Sequence, residues 1–361
     1  MDILVLLKKE FSAIRGNLGM FLVLLVILPG MFVGVTSVYE QTIPEHVSLG
    51  VVPADDSVTD ADVNLVRPVI GEFGSVTVFE EKEEARRALQ REQVYVIVEV
   101  PNGYRQGSAG NDTNITLLMD GSFTLLEEPM SALAGGIETV LHADAGGIIV
   151  NETSVTTETI GDTRSLPEFL IPAVMLAFVV LYGMVYVPYQ VRGERLVMDR
   201  LQTETRLDYV VLSKLIFYGV MLTVPAAVVV GITMYLGYNI AALSPFTLAV
   251  LFLTFIYLAA FSLSILFFTQ LEKTGLFLNV GLAIVSLALS ALIFPVGFFS
   301  EIEQVIASIL PTWYSVATFR SAMLRDASMT LYVDYFAIII GSGLAGLVLL
   351  KLSLIYYKRR R

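Results

Sequence analysis

The fold is decided by the stretch Arg192–Lys214, RGERLVMDRLQTETRLDYVVLSK, which joins two apolar runs that are each long enough to cross a bilayer. Its apolar positions can share one helical face, while its charged positions keep the other faces in water. The apolar positions are Leu196, Val197, Leu201 and Leu207, and the charged positions are Arg192, Glu194, Arg195, Asp199, Arg200 and Arg206. The pattern predicts an amphipathic helix in water that is fixed to the membrane at both ends.

Composition places the whole chain among polytopic membrane proteins. Apolar residues make up 55% of the 361 residues and the mean hydropathy is +0.72, which is more than a soluble core of that size can bury. The chain has no cysteine and only two histidines, His46 and His142, which argues against a site based on metal, thiol or imidazole chemistry. It also lacks the G-x-x-x-x-G-K-[ST] phosphate loop. We expect no catalytic residue, metal or cofactor here, and ATP hydrolysis only in a separate polypeptide.

Six apolar runs predict six transmembrane helices in an α-helical polytopic fold. They are Leu18–Tyr39, Pro167–Val191, Val210–Tyr238, Phe246–Thr269, Leu276–Phe299 and Tyr335–Tyr357. Residues 1–17 predict an amphipathic helix lying along the membrane. A cleaved signal peptide is the alternative for the first run, although that run is longer than the ~7 to 15 residues of a signal core.

The basic residues of the short loops fix the predicted orientation. Basic residues precede the first run, recur within Arg192–Lys214, occur at Lys273 and form the tail Lys358–Arg361. All of these fall on one side if every run crosses, and the positive-inside rule makes that side cytoplasmic. We therefore expect a plasma-membrane protein with both termini inside and residues 40–165 outside.

Residues 40–165 predict an inserted α/β domain with a strongly acidic surface. Strands are expected at Val47–Val52, Val76–Phe79, Val94–Val98 and Ile115–Met119, with a helix at Lys82–Arg91. A long amphipathic helix over residues 126–141 should pack on this sheet. The region contains roughly twenty acidic residues and only seven basic ones, which are Arg67, Lys82, Arg86, Arg87, Arg91, Arg105 and Arg164.

The acidic excess suggests adaptation to concentrated salt, and it would repel a nucleic acid. An acidic domain from a low-salt organism is the alternative. The same region carries three sequons on expected exposed loops, and these begin at Asn111, Asn114 and Asn151.

Residues 300–334 predict a hairpin of two short helices broken at Pro311, placed at the outer leaflet. Trp313 and Tyr314 have the amphipathic character that is favoured at that interface. Arg320 and Arg325 depart from the positive-inside pattern.

The runs themselves hold almost no ionisable residue, which argues against a proton- or sodium-coupled transporter. Lys351 lies near enough to the end of its run to reach the interface. Asn279 could line a translocation path or form an interhelical hydrogen bond. Gly341, Gly343 and Gly346 match a dinucleotide fingerprint, but they lie inside an apolar run. There Ser342 and Gly346, or Gly341 and Ala345, have the spacing of small residues that favours close helix packing.

Three stretches give the chain a resemblance, nearly end to end, to ABC-2 type transporter permeases with a large outer domain. Glu194-Arg195, Leu201-Gln202-Thr203 and Ser213-Lys214 resemble the Glu-Arg, Leu-x-Thr-Pro and Gly-Lys pattern of that family's cytoplasmic coupling helix. The departures from the pattern are Met198, Glu204 and Ser213.

The outer domain and the last loop extend the resemblance. The family's strand, acidic turn and helix feeding a proline-ended strand correspond to Val51-Val52, Asp55-Asp56, Glu84–Pro101 and Asp120. The family's outer re-entrant hairpin corresponds to Phe294-Pro295, Leu310–Tyr314 and Arg320. The candidate hairpin residues in these stretches are Pro295, Pro311, Trp313, Tyr314 and Arg320.

The resemblance implies the permease subunit of an ATP-driven exporter, which dimerises with itself or a similar subunit and couples to two copies of a separate ABC ATPase. Glu194, Arg195, Leu201, Thr203 and Lys214 would then form the ATPase-coupling site. Ordinary juxtamembrane charges are the alternative for Glu194 and Arg195. At the level of the whole protein, a receptor or scaffold that binds a ligand through its acidic outer domain is the main alternative, and an intramembrane hydrolase a distant one.

Overall fold

The structure is a computed structural model that describes most of the chain from residue 47 onward. The described residues are 47–55, 58–71, 73–101, 114–123, 135–136, 154–197, 200, 205–240, 244–292, 296, 299, 301–325 and 329–360. They form two compact units, a sheet unit within residues 41–169 and 294–305 and a helical unit within residues 170–293 and 306–361. The predicted interfacial helix 1–17 and the first predicted span, Leu18–Tyr39, lie outside the described residues.

The sheet unit contains a mixed five-stranded sheet in its described part. Its strands are β1 Val47–Pro53, β2 Gly74–Val78, β3 Val96–Val100, β4 Asn114–Asp120 and β5 Ser154–Ile160. They lie in the order β2-β1-β3-β4-β5. β1 is parallel to β2 and β3, β4 is antiparallel to β3, and β5 is parallel to β4. Each of the four predicted strands is present within two residues of its expected bounds, and the α/β prediction is confirmed.

Two helices connect the parallel strands. They are α1, Asp60–Gly71, between β1 and β2, and α2, Lys82–Gln90, between β2 and β3. α2 buries Ala85, Ala88 and Leu89 against the sheet, where they join Val52, Ile97 and Leu118 in one apolar cluster. Sequence reasoning predicted α2 but missed α1 and β5. The predicted helix over residues 126–141 lies outside the described residues except for the helical residues 135–136.

The helical unit, with the segments that lead into it, consists of the following elements. They are α3 Leu166–Leu181, a π-helical turn Tyr182–Tyr186, α4 Val187–Gly193, α5 Leu207–Tyr235, α6 Pro245–Phe268, α7 Lys273–Leu289, α8 Glu301–Ile309, α9 Pro311–Leu324, a 3₁₀ turn Met329–Tyr332 and α10 Val333–Arg359. The predicted hairpin break at Pro311 is confirmed, because that proline opens α9 directly after α8.

Four of the described helices are long and apolar enough to cross a membrane: Leu166–Gly193, Leu207–Tyr235, Pro245–Phe268 and Met329–Arg359. The run predicted as Leu276–Phe299 is instead the 17-residue helix α7, which ends at Leu289. Ala291, two residues beyond that end, has a φ of 53°, a left-handed conformation that stops a helix. The described residues therefore contain four candidate spans and one shorter apolar helix.

α6 is an inner helix, and α10 packs along it. A Cβ atom built on Gly346 of α10 would lie 3.3 Å from the carbonyl oxygen of Tyr257 in α6, whereas Gly341 and Gly343 face open space. The prediction that this glycine-rich run serves helix packing is thus confirmed at Gly346.

Candidate functional site

The segment Arg192–Lys214 begins at the end of α4 and runs into the first turns of α5. Residues 195–197 and 200 are helical, Glu194 forms the turn after α4, and Arg206 is the extended residue before α5. Leu201 and Thr203 of the predicted coupling set lie outside the described residues. The remaining members of the set, Glu194, Arg195 and Lys214, can be placed.

Glu194 and Lys214 form an ion pair that closes this segment. The Lys214 ammonium donates a 3.0 Å hydrogen bond to Oε1 of Glu194, and the Lys214 side chain is fully buried, whereas the Glu194 side chain is 18% exposed. Removing one partner of a buried pair leaves the other charge desolvated, which typically costs about 3–5 kcal/mol. The pair therefore joins the end of α4 to the start of α5.

A second contact joins the end of α4 to the turn between α6 and α7. Nε of Arg192 donates a 3.2 Å hydrogen bond to the carbonyl of Leu271. Gln270 and Leu271 both have positive φ values, 55° and 58°, which cost non-glycine residues of order 1 kcal/mol each. Their amides donate to the carbonyls of Phe267 and Leu266, so the tight turn holds the acceptor in place.

A third contact joins the start of α5 to the end of α10. Asp208 pairs with Lys351 at 2.9 Å and with Lys358 at 3.7 Å. Lys351 was expected only to reach the interface, and the structure gives it a carboxylate partner. Both lysines are more than 40% exposed, so each pair is worth about 0–1 kcal/mol.

These three contacts, called the polar ties below, bring together the ends of α4, α5, α6 and α10 at one end of the helical unit, which we call the charged end. Beyond the ties, three consecutive side chains face solvent: Arg195, Leu196, which is 81% exposed, and Val197. Leu207, expected on the same apolar face as Leu196, is buried.

Asn279 lies in the interior of the helical unit. Its Nδ2 donates a 3.0 Å hydrogen bond to the carbonyl of Ser262 in α6, and the residue is fully buried. The interhelical hydrogen bond that the sequence suggested is present. A role in a translocation path remains a prediction.

The hairpin formed by α8 and α9 is built on a buried arginine. Arg320 of α9 is fully buried, and its Nη2 donates to the carbonyls of Ala291 and Leu292 at 2.7 and 3.0 Å. These carbonyls lie just beyond the C-terminus of α7, where a cation is favoured by the helix dipole. Sequence reasoning listed Arg320 only as an exception to the positive-inside rule and missed this contact.

Aromatic rings line the start of α9. Trp313 and Tyr314 contact each other edge to face, and both contact Tyr335 of α10, with centroid distances of 4.7–5.6 Å. The Tyr314 hydroxyl donates to the Ser308 carbonyl in α8, which holds the two hairpin helices together. Pro295 lies outside the described residues.

The sequons and metal ligands can be placed only in part. Asn111 and Asn151 lie outside the described residues, and Asn114 is the first residue of β4, paired with β5, rather than a loop residue as expected. Within the described ranges, no group of three or more His, Cys, Asp or Glu residues is arranged to hold a metal ion.

The family model described as "ABC-2 family transporter protein" matches residues 17–355. The chain belongs to this family. No curated protein and no solved structure matches the chain. ABC-2 membrane proteins are multi-pass permeases that are typically non-catalytic and work with a separate ATPase, so the resemblance seen in the sequence is confirmed over most of the chain.

Proposed function

We propose that this ABC-2 family chain is the permease subunit of an ATP-driven exporter, and that its charged end receives the force of a separate ATPase. One observation carries the proposal: the exposed turn Arg195–Val197 directly follows a residue, Glu194, that is ion-paired to a buried lysine. A partner that pushes on the turn would move α4 and α5 together, because the pair joins their ends.

The proposal extends to the assembly. The permease forms a dimer with itself or with a similar subunit, binds two ATPase copies and crosses the membrane six times with both termini inside. Leu18–Tyr39 and α7 supply the two crossings beyond the four candidate spans. The positions of the basic loop residues support this orientation.

Charge reversal at the exposed turn tests the ATPase contact. Arg195→Glu and Leu196→Asp should each reduce the ATPase that co-purifies with the permease by tenfold or more, since neither side chain is needed inside the bundle. Lys273→Glu is the matched control, because Lys273 is also exposed on a helix that starts at this end. Equal loss in the control, or full co-purification of both variants, would reject the contact and favour the receptor or scaffold alternative.

Glu194→Lys with Arg195→Glu tests the two residues named by the resemblance. Because Glu194 also holds Lys214, this double variant is compared with Glu194→Lys combined with Lys214→Glu, which preserves an ion pair of reversed polarity. If the swapped pair restores ATPase association, then Glu194 acts through Lys214. If association is restored only when Glu194 itself is present, then Glu194 contacts the ATPase directly.

Cysteine labelling tests the orientation, since the native chain has no cysteine. Glu158→Cys on the exposed part of β5 should react with an impermeant reagent on intact cells, as should Ser108→Cys. Leu196→Cys and Thr203→Cys should react only after permeabilisation. The opposite pattern would overturn the proposed topology.

The acidic sheet unit is proposed to be adapted to concentrated salt, in which repulsion between its carboxylates is screened. Unfolding of the full-length protein, followed from low to molar salt, should show stability that rises with salt. We also propose glycans at Asn111, Asn114 and Asn151, and an unmodified mass from the native host would reject them.

A further inference from the structure

Pro188 interrupts the main-chain hydrogen bonds of the π-helical turn Tyr182–Tyr186. In an α-helix each carbonyl accepts from the amide four residues on, and in a π-helix from the amide five residues on. The amide of Val187 donates to Tyr182, five residues back. The same register would pair the Gly183 carbonyl with residue 188, which is proline and has no N–H. Gly183 therefore loses its main-chain donor.

Ser262 of α6 supplies the missing donor. Its hydroxyl donates to the Gly183 carbonyl at 2.8 Å, and Ser262 is fully buried. Gly183 permits this approach because a Cβ there would lie 3.2 Å from Cβ of Leu258. In a site without water, a carbonyl left unpaired is costly, so this hydroxyl stabilises the π register.

The same hydroxyl has a second acceptor in its own helix. Ser262 Oγ lies 3.0 Å from the Ala259 carbonyl, so it keeps a hydrogen bond if Gly183 withdraws. Asn279 of α7 holds the Ser262 carbonyl at 3.0 Å, which fixes this part of α6 in place. Ser262 is thus a fixed donor with two alternative acceptors.

Two helical registers of the candidate span Leu166–Gly193 differ in the carbonyl that Pro188 leaves without an amide donor. In the π register Gly183 lacks an amide donor, and in a regular α register Met184 would lack one, because Pro188 is then its partner. Each register leaves one carbonyl without an amide, and Ser262 favours the π register. The structure combines that register with an intact Glu194–Lys214 pair.

We propose that the turn Tyr182–Tyr186 is a register switch in the candidate span Leu166–Gly193, with Ser262 as its positioning residue. A change to the α register removes the one-residue bulge from the helix and rotates α4 about its axis by about 100° relative to α3. Glu194 and the exposed helical turn after it rotate with α4, so the register change breaks the Glu194–Lys214 pair that otherwise makes α4 and α5 move together. Movement of that turn by the ATPase rests on the proposed function, whereas the existence of two registers does not.

Distance measurement between two spin labels tests the switch on the full-length permease in lipid nanodiscs. Tyr189→Cys on α4 and Lys273→Cys at the start of α7 are both exposed, and no other cysteine is present. A rotation of about 100° should shift the distance by several ångströms, comparable to the helix radius of about 5 Å.

Two variants should favour the α register for different reasons. Pro188→Ala gives the Met184 carbonyl the amide donor that it lacks in the α register, whereas Gly183 already has the Ser262 hydroxyl in the π register; Ser262→Ala removes that donor to Gly183. Both should shift the label distance in the same direction, while Ser262→Thr keeps the hydroxyl and should retain the parent distance. Ser264→Ala is the matched control, since the Ser264 hydroxyl donates to Ala260 within α6.

The outcomes separate the switch from the proposed function. The switch would be overturned if both Pro188→Ala and Ser262→Ala kept the label distance of the parent protein. It would also be overturned if Ser264→Ala shifted that distance equally. If Ser262→Ala fails to fold, the result for Pro188→Ala decides alone. With the co-purified ATPase and a non-hydrolysable ATP analogue, the parent should populate the shifted distance. An unchanged distance in that complex would overturn the coupling role. Absence of any co-purifying ATPase would instead contradict the proposed function and leave the register result standing.

Discussion

The two ends of the helical unit each bury a cation, and they neutralise it differently. At the charged end, Lys214 pairs with the carboxylate of Glu194, a side chain on a segment that reaches solvent. At the hairpin, Arg320 donates to the main-chain carbonyls of Ala291 and Leu292, next to a helix terminus. A side-chain partner can move or be exchanged without rebuilding the backbone, whereas main-chain acceptors move only with their helix. The difference suggests an adaptable charged end and a rigid hairpin base.

Removing the carboxylate at the charged end should have the largest effect on stability. Glu194→Leu leaves Lys214 buried without this partner, and the free energy of unfolding should fall by about 3–5 kcal/mol. Glu194→Leu with Lys214→Met should recover most of that loss, because a buried ion pair can be replaced by apolar side chains at little cost. Reversible unfolding in mixed micelles measures both. A double variant no more stable than the single one would show that the pair is not what holds this end together.

Substitution of the hairpin arginine should lower the free energy of unfolding nearly as much. A second, apolar substitution cannot restore that loss, because the partners of Arg320 are main-chain carbonyls. Arg320→Met leaves the two carbonyls without this donor, and we expect a loss of about 2–3 kcal/mol by the same measurement. Arg320→Lys should recover part of the loss, since an ammonium can satisfy one acceptor. Arg325→Met, at the partly exposed C-cap of the same helix, is the control and should cost less than about 1 kcal/mol. Equal losses at positions 320 and 325 would remove the contrast between the two ends.

The exposed polar tie should have the smallest effect. Asp208→Asn weakens its contacts with Lys351 and Lys358, and stability should change by about 0–1 kcal/mol because both lysines are solvated. Adding salt should reduce the difference between parent and variant. A loss as large as that of Glu194→Leu would mean that this tie, and not the buried pair, fixes the charged end.

Sequence periodicity predicted the elements whose signal is local. The strands β1 and β3 follow runs of β-branched residues, and α6 and α10 follow long apolar runs, so composition alone locates them. α1 was missed although Thr59 and Asp62 form hydrogen bonds at its start, where the Thr59 amide and hydroxyl both donate to the Asp62 carboxylate. That Thr-x-x-Asp spacing was a usable signal.

The contacts that define the site were beyond sequence reasoning, because they join residues far apart in the chain. The acceptors of Arg320 come from residues 28 and 29 positions earlier, and Ser262 reaches Gly183 across 79 positions. The only sequence signals of an irregular helix in this run are Pro172 and Pro188, and neither predicts a π turn at Tyr182–Tyr186. Glu194 and Lys214 were both named from the resemblance, but their pairing and the burial of Lys214 follow only from packing.

Photo-crosslinking at Leu196 in intact cells tests the central claim most directly. A photoreactive amino acid in place of Leu196 should form a covalent product with an ATP-binding protein identified by mass spectrometry, because this side chain is exposed beside the polar ties. The same substitution at Val220 of α5, an exposed residue inside a candidate span, should give no such product. Crosslinking to an ATPase at position 196 but not at position 220 is the result we predict. No ATPase product at 196, or the same product at both positions, would contradict the account.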